Sequence, residues 1–104
     1  MDRPQLTPVI TDAADRGRFE AHLDGQLAGL LEYIVKHERI ALVHTEVDEI
    51  HEGRGVASAL IRYGLDRARH RGLRVIPVCP FVKEYLTRHP EDDDIVVGPG
   101  RVSD

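Results

Sequence analysis

The sequence predicts an α+β fold, a mixed and mostly antiparallel sheet with its helices packed across it. Three observations carry that expectation. Between Arg18 and Asp24 the apolar Phe19, Ala21 and Leu23 alternate with Glu20 and His22, the pattern of a half-buried strand, and Asp24-Gly25 supplies the two residues tolerant of positive φ that a tight hairpin needs. From Val56 onward, Ala57, Leu60, Ile61, Gly64, Leu65 and Ala68 recur with the period of about 3.6 residues that marks an amphipathic helix. Leu73–Cys79 follows that helix and is strongly apolar, as expected for a strand covered on both faces and joined by a right-handed crossover to a parallel neighbour.

Taken in order, residues 1–16 hold two prolines and little periodicity, and are expected to form a flexible N-terminal arm ahead of a single domain over 17–104. The strand Arg18–Asp24 comes next. A second strand runs from Leu27 to about Lys36, and its apolar composition predicts an interior position. His37-Glu38-Arg39 turns the chain into a third strand, Ile40–Val47, completing an antiparallel meander. Glu49–Gly55 is a polar loop with two glycines. On the long helix, Ser58, Arg62, Asp66 and His70 take the outer side, and Arg62 and Asp66 are spaced as an i,i+4 pair. Gly64 and Ala68 are small enough to let the helix lie close on the sheet, and Gly72 ends it after three basic residues. Pro80 opens a second, short helix with Phe81, Val82, Tyr85 and Leu86 on one face, and His89-Pro90 stops it. Glu91–Asp94 is expected to be a loop and Ile95–Val97 a last edge strand.

A chain of 104 residues, 41% hydrophobic, is long enough for one core and too short for two. A membrane-crossing helix needs roughly 20 apolar residues in a row, and runs such as Ile40–Val43 fall far short. Met1-Asp2-Arg3-Pro4 does not begin a signal peptide. The expectation is a soluble, cytoplasmic protein without a membrane partner. Cys79 is the one cysteine, which excludes an internal disulfide and a cysteine-based zinc site. Charge is uneven, because residues 51–90 carry eight basic and three acidic residues within a chain of net charge −4. A basic middle inside an acidic chain argues against nucleic-acid binding and for a local site for a small polyanion.

The segment Glu52-Gly53-Arg54-Gly55-Val56-Ala57-Ser58, between a strand and a helix, is the most informative feature. The first N–H groups of a helix lack internal partners and carry partial positive charge, and glycines let the backbone approach a phosphate closely. A diphosphate fits such a loop, with Arg54 adding charge; a bare strand-to-helix turn has the same appearance. No glycine precedes a lysine, as a P-loop requires. Ser58 stands where a dinucleotide fingerprint has its third glycine, and Val75-Ile76-Pro77-Val78 ends without an acidic residue. His-Glu-x-x-His and Gly-x-Ser-x-Gly are both absent, so no metal site and no serine-hydrolase elbow is expected.

The run from Val47 through Glu52-Gly53-Arg54-Gly55-Val56-Ala57-Ser58-Ala59-Leu60 resembles the acetyl-CoA-binding motif of the GNAT superfamily of N-acetyltransferases, Arg/Gln-x-x-Gly-x-Gly/Ala. Gly55 and Ala57 match it, and Glu52 stands where Arg or Gln is usual. Together with His44-Thr45-Glu46-Val47 and Pro77-Val78-Cys79-Pro80-Phe81-Val82, Tyr85 and His89-Pro90, the resemblance is to a minimal GNAT-like family and covers roughly residues 18–97. It implies a GNAT-like acyl-CoA N-acyltransferase fold, with the parallel strands Ile40–Val47 and Leu73–Cys79 splayed to admit the pantetheine arm. It further implies that Val47, Gly53, Arg54, Gly55, Val56, Ala57 and Ser58 hold acetyl-CoA as co-substrate. The implied reaction is transfer of acetyl to an amine by direct attack in a ternary complex. The alternative is a CoA-binding module with little or no catalysis, serving as sensor or interaction protein.

Such a reaction moves a proton off the attacking amine and one onto the departing thiolate. His44 and Glu46 share a strand face with Leu42, opposite Val43, Thr45 and Val47, and are candidate bases, directly or through water. Cys79 ends a strand just before Pro80 and is the expected N-cap of the short helix, a position that favours thiolate. Its candidate roles are acid/base, transient acetyl carrier or cleft lining. The resemblance places Tyr85 where GNAT enzymes often carry the tyrosine that protonates the thiolate, while its spacing from Phe81 equally suits core packing. The family usually inserts helices between its first two strands, and Asp24-Gly25 leaves room only for a turn. The acceptor site is therefore expected to be open, suited to a large or protein-borne amine or to completion by a partner chain, a homodimer included.

Overall fold

Alternation of apolar and polar residues organises the first half of the chain, and it starts earlier than expected. In the computed structural model, which describes residues 7–97, β1 (Val9–Ala13) pairs antiparallel with β2 (Arg18–Leu23). The arm expected over residues 1–16 is therefore, from Val9, part of the sheet, while residues 1–6 and 98–104 lie outside the described residues. The reason is physical. Val9, Ile10 and Thr11 are β-branched, Ile10 packs against the core, and Gly17, at φ 67°, closes the corner after a single 3-10 turn over Ala14–Arg16.

Strands β3 (Gln26–Lys36) and β4 (Arg39–Val47) complete the antiparallel part. The first hairpin turns at Asp24 and Gly25, both with positive φ, as the sequence indicated. The second turns at His37 and Glu38, at φ 53° and 63°, without a glycine to relieve the strain. β3 is interior only along its first half. Ile34 is 60% exposed, on the stretch beyond Glu32 where β3 keeps β4 but no longer has β2 paired beside it.

Helix α1 (Val56–Arg71) buries the face carrying Phe19, Leu31 and Leu42. A Cβ at Gly64 would lie 3.3 Å from Phe19 Cε2, so the missing side chain is what allows this approach. Phe19 stacks on Tyr33 at 4.4 Å between ring centroids and meets Tyr63 edge-on at 5.2 Å, pairs that add about 0.5–1.5 kcal/mol each beyond burial. Tyr33 donates a 2.6 Å hydrogen bond to Asp12, tying β3 to β1, and burial, reinforced by that bond, pushes its phenol up to about 12.

β5 (Arg74–Pro77) lies parallel to β4, giving the strand order β1-β2-β3-β4-β5. It is shorter than the expected Leu73–Cys79 because Cys79 is already the N-cap of α2 (Pro80–Thr87). Pro90–Ile95 forms a 3-10 turn where a loop was expected, and the expected edge strand at Ile95–Val97 is one bridge, Val96 beside Val75. Arg69 clasps this segment to α1, donating to Asp92 at 3.0 Å and to Asp94 at 2.8 and 2.9 Å.

On the face away from α1, Glu20 accepts from Arg16 at 3.0 and 3.1 Å and from Arg18 at 2.8 Å. The hydrogen bonds from these two guanidiniums hold its carboxyl down at about 2. Among the described residues, no helix is long and apolar enough to cross a membrane.

Candidate functional site

The register of the sheet creates an opening. Tyr33 pairs with Leu42 and Glu32 with His44, so Val43 is an extra residue that bulges β4. The parallel ladder stops just there, at Leu42 and Pro77. Val78 and Cys79 both donate their N–H to the single carbonyl of Leu42, at 3.1 and 3.0 Å, and the chain then turns into α2. β4 runs on to Val47 alone on that side, so the two strands diverge at their C-terminal ends as expected for the splayed pair.

Next to this gap is a cavity of about 490 Å³. Val47, Glu52, Gly53, Gly55, Val56, Ala57 and Ser58 line it together with Phe81 and Glu84 of α2 and the C-cap of that helix, Arg88. Gly53 and Gly55 take φ of 82° and 78°, and Gly55 is the N-cap of α1 with no side chain capping the helix. The first backbone bond of the helix runs from Ala59 to Gly55 at 3.0 Å, so the N–H groups of Val56, Ala57 and Ser58 have no acceptor within it. Gly29 seats this end on the sheet, since a Cβ there would be 2.8 Å from the Glu46 carbonyl oxygen and 2.9 Å from Val56 Cγ1.

Six of the seven residues expected at the co-substrate line the cavity. Arg54 does not, and its side chain is exposed. Cys79 is the N-cap as expected, but it is only 2% exposed, with Sγ 3.2 Å from Thr45 Oγ1. Tyr85 is 4% exposed, and its ring stacks on His89 at 3.8 Å rather than on Phe81. Burial pushes its phenol up. Phe81 itself leaves the expected apolar face of α2 and is 54% exposed over the cavity.

His44 and Glu46 do share a face, joined by a 2.8 Å contact between Nε2 and Oε2, and both are largely exposed. Leu42 does not share it. The Val43 bulge inverts the alternation, leaving Leu42 in the core under α1. Glu46 also borders a shallow cleft on the sheet side with Leu27, Gly29 and Asp48.

Besides Glu52 and Phe81, sequence reasoning missed His51, Glu84 and Arg88 in the lining. Glu84 and Arg88 follow Phe81 at i+3 and i+7, a spacing that marks one helix face and was available. His51 ends the 3-10 turn Glu49–His51 and is 8% exposed, with Nδ1 buried and unpartnered. Its loop position carried no signal of burial.

The sequence pattern described as GCN5-related N-acetyl-transferase matches residues 18–95. Protein NATD1 of Mus musculus is 31% identical over 78 residues, which make up 72% of this chain and 70% of that protein. NATD1 of Homo sapiens is likewise 31% identical, with 72% and 68% covered. A GCN5-like protein of Staphylococcus aureus, solved by NMR, superposes with a TM-score of 0.67 at 24% identity, covering 86% of this chain and 88% of that one. Ribosomal-protein-alanine N-acetyltransferase from Brucella melitensis biovar Abortus 2308 does so with a TM-score of 0.59 at 23% identity, covering 86% and 68%. At those identities the two structures speak to the fold alone.

Proposed function

This chain belongs to the GCN5-related N-acetyltransferase family, and from that premise we propose that it transfers an acetyl group from acetyl-CoA to an amine by direct attack in a ternary complex. The observation that carries the reading is the uncapped start of α1 facing a cavity beside the divergence of β4 and β5. The residues present fit the co-substrate. Backbone donors at Val56–Ser58 suit a diphosphate, Val47 and Phe81 offer apolar walls to a pantetheine arm, and Arg88 supplies positive charge. Glu52 and Glu84 oppose a polyanion, so affinity rests on the backbone cradle. Acetyl-CoA supplies the activated thioester; the protein's part is placement and proton transfer.

Glu46 orients His44, and the imidazole accepts the proton of the incoming amine. Tyr85, whose phenol burial pushes further above its ordinary value, is the donor for the departing thiolate. Cys79, held by Thr45, lines the gap. β2 and β3 are joined by a tight turn, so that connection covers nothing on the face of His44 and Glu46, and the reading favours a large or protein-borne acceptor.

One observation favours a second reading, a CoA-binding module with little catalysis: Cys79 and Tyr85 lie in the core and are not among the described residues lining the cavity. Thermal shift and turnover separate the two. Acetyl-CoA is expected to raise the melting temperature, and mass spectrometry to find acetyl on peptide amines. Glu46→Gln and Tyr85→Phe should each lower kcat by about 100-fold while leaving acetyl-CoA affinity intact. Binding without product on any amine would establish the second reading. No shift with CoA or acetyl-CoA would end both.

A further inference from the structure

The two faces of the sheet differ. Leu31, Ile40, Leu42 and Val75 belong to the core under α1. On the other face, register sets Glu32 beside His44, and two residues along β3 a row of Ile34, Ala41 and Ile76 crosses three strands. Two residues further on, Lys36, Arg39 and Arg74 form the next row, and all three are exposed. Ile34 is exposed, and Ala41 and Ile76 are half-buried. We infer that this face docks a protein-borne acceptor that carries its amine at one end and carboxylates about four residues away; this rests on the acetyl-transfer reading above and names its acceptor.

Cations side by side across strands repel one another, and this row holds no acidic residue to offset them. Glu38 stands in the adjoining turn, and Asp94 feels the charge of Arg74, but among the described residues neither Lys36 nor Arg39 takes part in an ion pair. The other end is acidic. His44 contacts Glu46 at 2.8 Å and pairs across to Glu32, while Arg18, on the far side of Glu32, is engaged with Glu20. An apolar row thus separates a cationic end from an anionic one, roughly 13 Å apart over the four residues from Glu32 to Lys36. The anionic end lies where β4 runs on beside the gap, so the amine belongs there, and the cationic end takes carboxylates. A second copy of the chain suits this face less. A two-fold axis along the strands would set cations on cations, and one across them would lay the partner's Arg39 over His44 and Glu46 and close the site.

The test uses the full chain with acetyl-CoA and two peptide series, one with a free α-amine and one with a blocked N-terminus and a single lysine. In each, two glutamates, two glutamines or two arginines stand about four residues from the amine. At low salt kcat/KM should fall in that order, by about tenfold overall, through KM with kcat held, and the spread should shrink at high salt. Lys36→Glu combined with Arg39→Glu should reverse the order while keeping the wild-type melting temperature and Kd for acetyl-CoA. Which series is acetylated tells whether the amine is terminal or a lysine's. An order indifferent to charge, or one that the double variant leaves unchanged, would overturn the proposal. So would wild-type dimers in sedimentation that the double variant dissolves, since the face would then belong to a second copy. Should that variant fail to fold, the order and its salt dependence in the wild type decide. Acetylation of no amine would remove the transfer reading and this acceptor with it, a result distinct from transfer without preference.

Discussion

The two ends of α1 are built in opposite ways. At the C-terminal end the protein satisfies itself: Gly72 takes the left-handed conformation, the N–H groups of Gly72 and Leu73 return to Arg69 and Ala68, and Arg69 is clasped by Asp92 and Asp94. At the N-terminal end the same helix has no capping side chain, no acidic residue in its first turn, two glycines at positive φ and an open cavity. Helix ends leave orphan groups in either case. The closed end satisfies its carbonyls within the chain, and the Arg69 side chain beside them holds the segment after α2. The open end keeps its donors facing outward, where an anion outside the protein can satisfy them.

The open end exists only while it stays seated on β3 and β4, and Gly29 is the point of contact. Gly29→Ala should have the largest effect. The added Cβ meets a backbone oxygen at 2.8 Å and Val56 Cγ1 at 2.9 Å, so the helix start must lift. Overpacking of this kind costs roughly 1–3 kcal/mol, visible as a lower urea midpoint, and the thermal shift by CoA should disappear with the cradle's geometry. A variant as stable as the wild type that still binds CoA would show that the helix start slides freely.

At the closed end, Arg69→Ala should lower stability by less and leave CoA affinity alone. That end should also carry its own acid dependence. The hydrogen bond from Arg69, first among the causes, holds the Asp94 carboxyl below the usual carboxylate range. A lowered native pKa stabilises above the unfolded value, near 3.8, and its contribution is lost as pH falls below that toward the native one. Urea unfolding of wild type and Arg69→Ala between pH 6 and about pH 2 should therefore converge toward the acid side. A gap independent of pH would mean that the clasp acts by packing alone.

This contrast also shows which parts of the molecule could be read in advance. Gly72 after three basic residues, Asp24-Gly25 between alternating segments and Pro80 at the start of α2 are local chemistry, and each element ends or turns where those residues say. So does the glycine loop at the cavity. β1 was hidden because five residues gain their strand from pairing with β2 across the Gly17 corner, while the nearby prolines signal loop. The Val43 bulge was hidden for a similar reason. It arises from the register between β3 and β4, and Val43 is an unremarkable strand residue by itself. One misplaced residue then changed the assignment of Leu42. His51 and Arg88 reach the cavity from a loop and a helix end, and only the packing of α2 against the start of α1 brings them together.

The smallest effect concerns the two arginines at the open end, and it tests whether lining or mere nearness to the motif matters. Both side chains are exposed, but Arg54, within the glycine loop, is not among the described lining residues, whereas Arg88, from the far end of α2, is. An exposed charge is screened by water and salt, and is worth about 0.2–1 kcal/mol at best. Arg54→Ala should therefore weaken CoA by about twofold, fading at high salt. Arg88→Ala should weaken it more, by up to about fivefold, because Arg88 lines the proposed CoA cavity, where the acidic lining residues Glu52 and Glu84 oppose an anion. Calorimetric titration at two salt concentrations reads both. The reverse order would mean that the anion binds outside the cavity, along the loop, and that the open end of α1 works through its side chains rather than its backbone.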